Sequence, residues 1–302
     1  MSCLVLLNAR AGTLLSGGLE RPREVVAEAF ETAGRPAEVH LVDPEEMGPR
    51  LEAASRSDHE VVVVGGGDGT FSHALAKLAG SGKVLGLLPL GTVNLLGRDL
   101  MFPAGGLPEM ARALAGGEVR HIDLATVNGR PFHSLCGLGY FSRVAREREQ
   151  TRFNIPLGRL FSVTMSVWRS VTKTGRVRFS IDVGDRRFNT DAYAILVTNN
   201  RIGDDWRRAQ LDEGVLELHL MRHSHLAGRA RAGFELIAGR WREGDAIESF
   251  AAQTFTISSA RSRVWMALDG ELVREPTPLR FHIQPGGLRM LVPSPSLTEV
   301  ER

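Results

Sequence analysis

The chain is poor in three things. It has two cysteines, three lysines (at 77, 83 and 173) and only 6% aromatic residues in 302 positions. Cys3 and Cys136, without CxxC spacing, exclude a disulfide framework. No apolar run approaches the roughly 20 residues that cross a bilayer. The opening MSCLVLLNAR lacks a basic segment and a long apolar core, so no signal peptide is expected. The expected setting is cytoplasmic and reducing, with any membrane contact peripheral. An excess of one charge is also missing: the net charge is +2, too balanced to announce a nucleic-acid binder, and none is expected as a partner.

What is present is an uneven chain. Residues 1–130 carry 12 basic and 16 acidic side chains, and residues 131–302 carry 25 and 19. The stretch 143–187 is richest, with 11 basic against 4 acidic. A basic second half suits an anionic surface or substrate, although scarce lysine also marks a general preference for arginine. The hydrophobic fraction, 43%, is ample for packed cores, and the length points to two domains.

Strand-like and helix-like segments alternate over the first 120 residues. Strands are expected at 3–7, 37–42, 61–64 and 84–88. Helices are expected at 20–33, 45–55, 70–79, 94–100 and 107–114, with 8–18 as a polar, Gly-bearing loop. Four consecutive valines at 61–64 mark a strand buried on both faces. Such βα units imply a parallel sheet with helices on both sides. From about residue 122 the pattern becomes strand-like runs at 177–183, 192–198, 216–221, 254–258, 264–268 and 279–283, separated by turn residues. That spacing suggests an antiparallel sandwich, interrupted by a helical stripe at 157–171. The run 288–292 reads as a last strand that returns to the first domain. The expected division is 1–121 with about 288–302 for the α/β domain, and 122–287 for the sandwich.

The strongest local signal is VVVVGGGDGT at 61–70. A buried strand runs into four glycines within five positions, and a helix follows. Glycine lets the backbone turn and leaves amides free to meet an oxyanion, aided by the helix N-terminus. Thr70 can cap that helix or donate to a phosphate. Asp68 would repel phosphate directly; it makes sense as a ligand of Mg²⁺ through water or as an anchor for neighbouring backbone. A Walker A loop is excluded because Gly82-Lys83 precedes Val84, and the GxGxxG fingerprint fails because Thr70 stands where Gly is needed. The next strand ends in Leu88-Pro89-Leu90-Gly91-Thr92-Val93-Asn94. Adjacent parallel strands place such loops side by side, where they can grip one nucleotide.

These residues carry a resemblance. Gly66-Gly67-Asp68-Gly69-Thr70 is similar to the GGDGT signature of diacylglycerol and sphingosine kinases, NAD kinases and phosphofructokinase relatives. The 88–94 loop with Arg98 resembles the LPxGTxN…R motif of the lipid-kinase branch. Asn8-Ala9-Arg10-Ala11-Gly12 resembles its opening loop. Asp123, Asp212-Glu213-Gly214 and Asp269-Gly270-Glu271 follow in the expected order. The chain thus resembles the diacylglycerol kinase catalytic family over nearly its whole length.

The resemblance implies a Rossmann-like α/β domain followed by an antiparallel β-sandwich. ATP would lie in a cleft between the two, held by Asn8, Gly66, Gly67, Asp68, Gly69, Thr70, Gly91, Thr92 and Asn94. Asp269 or Glu271 would accept the lipid hydroxyl proton, with Asp68 beside the chemistry. Read from the residues alone, Asp269-Gly270 between two strands is first a hairpin turn. By the same resemblance, the Glu213 carboxylate and the carbonyls of Gln210 and Val215 would hold a structural Mg²⁺, and Asp123 would join the catalytic metal's water network. An acidic turn between strands is the equal alternative for 210–215. The chain departs from the family in Leu95, where Asp is frequent, in Ala9 and Ala11, and in 40–43, which offers no threonine to the nucleotide.

His219, His223 and His225 suggest a metal only weakly, and solvated histidines are expected there. The implied partners are ATP and a lipid at the inner membrane face, with a homodimer as a further option. The implied activity is ATP-dependent phosphorylation of a diacylglycerol-like or sphingoid/ceramide-type lipid. Its competitors are a soluble-substrate kinase of the NAD kinase type and a non-catalytic lipid or nucleotide sensor.

Overall fold

A computed structural model describes residues 2–16, 21–103, 105–151, 177–184, 186–203, 205–222, 242 and 247–294. The helical stripe at 157–171, His223 and His225 lie outside these residues. The chain divides into two compact units, one built from residues up to Leu124 and again from Pro285 onward, the other from Ala125–Gln284.

The first unit runs β1 (Cys3–Asn8), α1 (Gly12–Ser16), α2 (Pro22–Thr32), β2 (Ala37–Val42), α3 (Pro44–Arg56), β3 (Val61–Gly66), α4 (Asp68–Leu78), β4 (Val84–Pro89), α5 (Leu95–Asp99) and α6 (Leu107–Ala115). Its strands are parallel in the order β2-β1-β3-β4. Every residue of β3 and β4 is buried, as the unbroken apolar runs require of strands covered on both faces. Val26, Ala29 and Phe30 of α2 and Leu107, Ala111 and Leu114 of α6 pack on this sheet beside Val5, Leu7 and Val63. Two expectations shift. The polar loop after β1 contains a helical turn, α1. β3 extends through Gly66 and α4 starts at Asp68, so Gly67 is the cap and Thr70 lies inside the first turn.

The rest of the chain forms β5 (Glu118–Val127), β6 (Arg130–Phe132), β7 (Leu135–Gly139), α7 (Tyr140–Thr151), β8 (Val177–Val183), β9 (Arg186–Ala192), β10 (Ala194–Asn199), β11 (Leu216–Met221), β12 (Ile247–Ala252), β13 (Thr254–Ser259), β14 (Arg263–Leu268), β15 (Glu271–Pro276) and β16 (Leu279–Val292). In the second unit, one antiparallel sheet has the order β12-β11-β10-β7-β14-β15. The other sets β16-β13-β8-β9 beside the β5–β6 hairpin. Leu218, Val197 and Met266 of the first sheet share one core with Ile181, Phe255 and Phe281 of the second. The runs 279–283 and 288–292 are one strand, β16. It kinks at Gly286, which has φ +61° and donates its N–H to the buried Asp123 Oδ1 at 2.9 Å. Beyond the kink, Met290 pairs in parallel with Leu85 of β4.

Candidate functional site

The two glycine loops of the first unit are locked to each other. Leu90 N–H donates to the Gly66 carbonyl at 2.8 Å, and Leu95 N–H donates to Asp68 Oδ1 at 2.7 Å. Asp68 therefore anchors backbone: it leaves the first turn of α4 to hold the start of α5. The loops also touch through bare backbone. A methyl group on Gly91 would lie 2.5 Å from the Gly67 Cα, and one on Gly66 would lie 2.4 Å from Thr70 Oγ1. Glycine is required at both positions because a neighbour already occupies the space of a side chain.

Asn94 shapes the second loop. It adopts the left-handed conformation at φ +50°, which asparagine tolerates better than most residues. Its Oδ1 accepts the Gly91 N–H at 2.9 Å, and its Nδ2 donates to the carbonyls of Pro89 and Gly91 at 3.0 and 2.8 Å. Asn8 joins from β1: its Nδ2 donates to Thr70 Oγ1 at 3.2 Å, while Thr13 N–H donates to the Leu90 carbonyl at 3.2 Å. Asn8, Gly66–Thr70 and Gly91–Asn94 are thus one connected surface at the C-terminal end of the parallel strands. No side chain caps α4. Backbone amides at a helix N-terminus beside glycine-lined loops form a place for a phosphate.

In the second unit, Asp269 and Gly270 both have positive φ, +49° and +89°, and form the tight hairpin between β14 and β15. The Asp269 side chain turns inward and is 1% exposed. Its Oδ2 accepts the His133 N–H at 2.8 Å, and its Oδ1 accepts the Ser134 and Leu135 N–H groups at 2.9 and 3.0 Å. Beneath it lies a buried polar layer. His133 Nδ1 is 2.7 Å from Ser134 Oγ, and the Arg208 guanidinium donates to the carbonyls of His133 and Asn199 at 2.5 and 3.1 Å. Glu271, two residues along, is exposed. Arg208 and His133 were not singled out in the sequence because a buried arginine inside a polar, turn-rich segment leaves no periodic trace.

The turn at 210–215 offers oxygens of the kind Mg²⁺ takes. Glu213 Oε2 already accepts the Arg201 N–H at 2.9 Å, and the Arg201 guanidinium lies 3.5 Å from Oε1. The Val215 carbonyl accepts the Asn200 N–H at 2.9 Å. The donor set suits a hard cation in kind, and an ion there would share Glu213 with a guanidinium. Among the described residues, no three His, Cys, Asp or Glu side chains converge as metal ligands. The histidine expectation needs correction at one position: His219 is 1% exposed, not solvated. It sits with Nδ1 2.8 Å from Ser249 Oγ and Nε2 3.3 Å from Glu217, whose carboxylate also binds Arg242 at 2.7 and 3.0 Å. Burial alone would raise the Glu217 pKa; the contacts with His219 and Arg242 outweigh it and bring the carboxyl down to about 2. Both cysteine thiols are pushed up by burial, Cys3 to about 12, so neither is a nucleophile.

Comparison with known proteins bears on both units. The diacylglycerol kinase catalytic domain model matches residues 2–127, and the YegS C-terminal NAD kinase beta sandwich-like domain model matches residues 134–292. A Pseudomonas aeruginosa protein named "Probable lipid kinase YegS-like" is 30% identical over 298 residues, covering 94% of each chain. The Bacillus subtilis diacylglycerol kinase is 25% identical over 256 residues, covering 82% of each. A crystal structure of a diacylglycerol kinase from Bacillus anthracis shares the fold at a TM-score of 0.69, with 18% identity over 98% of both chains. The glycine loops, the parallel sheet that presents them and the sandwich that follows are those of a kinase, and the chain belongs to the diacylglycerol kinase family of lipid kinases.

Proposed function

We propose that this protein transfers the γ-phosphate of ATP to the hydroxyl of a diacylglycerol-like or sphingoid/ceramide-type lipid at the cytoplasmic face of the membrane. The observation that carries the reading is the interlock of Gly67 with Gly91 at two adjacent strand ends, which leaves backbone amides, not side chains, to meet the phosphates. Gly66, Gly67, Gly69, Thr70, Gly91, Thr92 and Asn94, with Asn8, hold the nucleotide. Asp68 keeps the two loops in register.

Mg²⁺ supplies charge neutralisation on the phosphoryl group when bound. Glu213 with the Gln210 and Val215 carbonyls would hold a structural ion, and Asp123 would serve the catalytic one while also accepting the Gly286 N–H. Phosphoryl transfer asks little of the base beyond position and access. Glu271 has that access and takes the hydroxyl proton; Asp269, its oxygens engaged by three amides, sets the hairpin on which Glu271 stands.

The test is transfer of labelled γ-phosphate from ATP to a bacterial lipid extract supplemented with diacylglycerol, ceramide and sphingosine. Wild type runs beside Asp68→Asn, Asp269→Asn and Glu271→Gln. A labelled lipid that disappears in a folded Glu271→Gln variant supports the assignment. NADP formed from NAD and ATP, with no labelled lipid, moves the activity to a soluble acceptor. ATP binding without turnover of any acceptor makes the protein a sensor.

A further inference from the structure

We infer that the outer face of the β14–β15 edge, centred on Trp265, is a docking surface for anionic lipid headgroups. The inference deepens the lipid-kinase reading and rests on it only for its purpose.

Alternation along β14 sends Val264, Met266 and Leu268 into the sandwich core and leaves Trp265 on the opposite face, 40% exposed. It is one of five large apolar side chains among the described residues that remain so open. Arginines surround it. Arg146, from α7, sets its guanidinium carbon 4.6 Å from the indole centroid. Arg274 stands directly opposite Trp265 on β15, 5.8 Å from the same ring. Arg263, on the same face two residues earlier, donates to the Arg274 carbonyl at 3.2 Å.

None of these three arginines pairs with a carboxylate among the described residues. Within the same unit, Arg130, Arg178, Arg187, Arg201, Arg207, Arg222 and Arg242 each meet an Asp or Glu. Arg186, Arg261 and Arg280 share the lack of a carboxylate partner, but among the described residues two guanidinium groups flank one exposed ring only at Trp265. Stacking on the ring holds a guanidinium while its N–H groups stay available to phosphate. Tryptophan, apolar in body and polar at its N–H, belongs at the level of lipid headgroups. A compact patch of this kind suits a bilayer surface; a nucleic acid needs a longer basic track.

The test uses the full chain in sedimentation with phosphatidylglycerol vesicles and, separately, phosphatidylcholine vesicles. Wild type should bind the anionic vesicles, less so as salt rises, and the neutral ones weakly. Arg146→Gln with Arg274→Gln should weaken anionic binding by about fivefold per arginine. Trp265→Ala should weaken it at all salt concentrations, and Arg178→Gln, exposed on β8 of the other sheet, should leave it intact. Turnover of detergent-dispersed lipid should survive the arginine substitutions, which shows the fold is kept. Vesicle binding equal to wild type in the double variant overturns the inference, as does a loss confined to single-stranded DNA binding. Should wild type phosphorylate no lipid while the double variant still loses vesicle binding, the kinase reading fails and the docking surface stands.

Discussion

Two Asp-Gly steps, one in each unit, use the same residues to opposite ends. At Asp68-Gly69 the carboxylate accepts the backbone N–H of Leu95, across from the next glycine loop. At Asp269-Gly270 the carboxylate turns into the protein and consumes three amides, those of His133, Ser134 and Leu135. The difference follows from the surrounding architecture. A parallel sheet with crossover helices ends in helix N-termini whose donors lack partners, so the aspartate need only brace one loop against the next. An antiparallel hairpin folded over the start of a neighbouring strand buries donors that the ladder cannot reach, and a buried donor must be satisfied. The same dipeptide thus braces one loop against the next in one unit and closes a hairpin over buried amides in the other.

The comparison is broken most severely at Asp269. Asp269→Asn places an amide NH₂ among three backbone donors, and the loss of charge-assisted acceptance should cost about 3 kcal/mol. Thermal denaturation should show the drop, and activity should fall with it. A stable, inactive Asp269→Asn protein would instead assign the proton to Asp269 and remove it from Glu271.

Gly91→Ala comes next. Its methyl group has the Gly67 Cα at 2.5 Å, backbone against backbone, so the loops must part. A loss of about 2 kcal/mol is expected, together with a larger loss of ATP affinity, measurable by calorimetry. Asp68→Asn should be milder, at about 1 kcal/mol, because the asparagine oxygen can still accept the Leu95 N–H without charge. If Asp68→Asn destabilises as much as Asp269→Asn, the distinction between the two turns is lost.

A separate test, read in acid, concerns a third carboxylate, held by cations instead of amides. The Glu217 pKa is depressed to about 2 from an ordinary 4.5. Its folded form therefore binds protons less readily than the unfolded form. The stability it contributes is full above 4.5 and is lost as pH falls toward 2. Acid denaturation followed by circular dichroism should show this limb in wild type and a flatter one in Glu217→Gln.

Much of the first unit was legible because its signals are local. Four valines before a run of glycines can only be a strand buried on both faces that ends in a tight turn, and β2 falls on its expected residues. The hairpin at Asp269-Gly270 was legible for the same reason, since both residues take the positive φ that such a turn demands. The second unit was less so. β6, β7, β9 and β12 carry exposed or small residues that interrupt alternation, and their identity as strands depends on partners distant in sequence. His219 illustrates the limit. Together with His223 and His225 it suggests solvated histidines at a strand end, yet pairing against Ser249 and contact with Glu217 bury it.

By itself, the sequence determined the order of βα units, the two glycine loops, the turn chemistry at 269–270 and, through its ordered motifs, the kinase family. Each of these rests on conformational restrictions of adjacent residues or on spacing along one strand. Tertiary structure alone decided that Asp68 holds the start of α5, that Asp269 faces inward, that Arg208 lies beneath it and that Arg146 and Arg274 flank Trp265. These are contacts between residues far apart in the chain, and burial, which gives a carboxylate or a guanidinium its role, exists only once the chain has closed on itself.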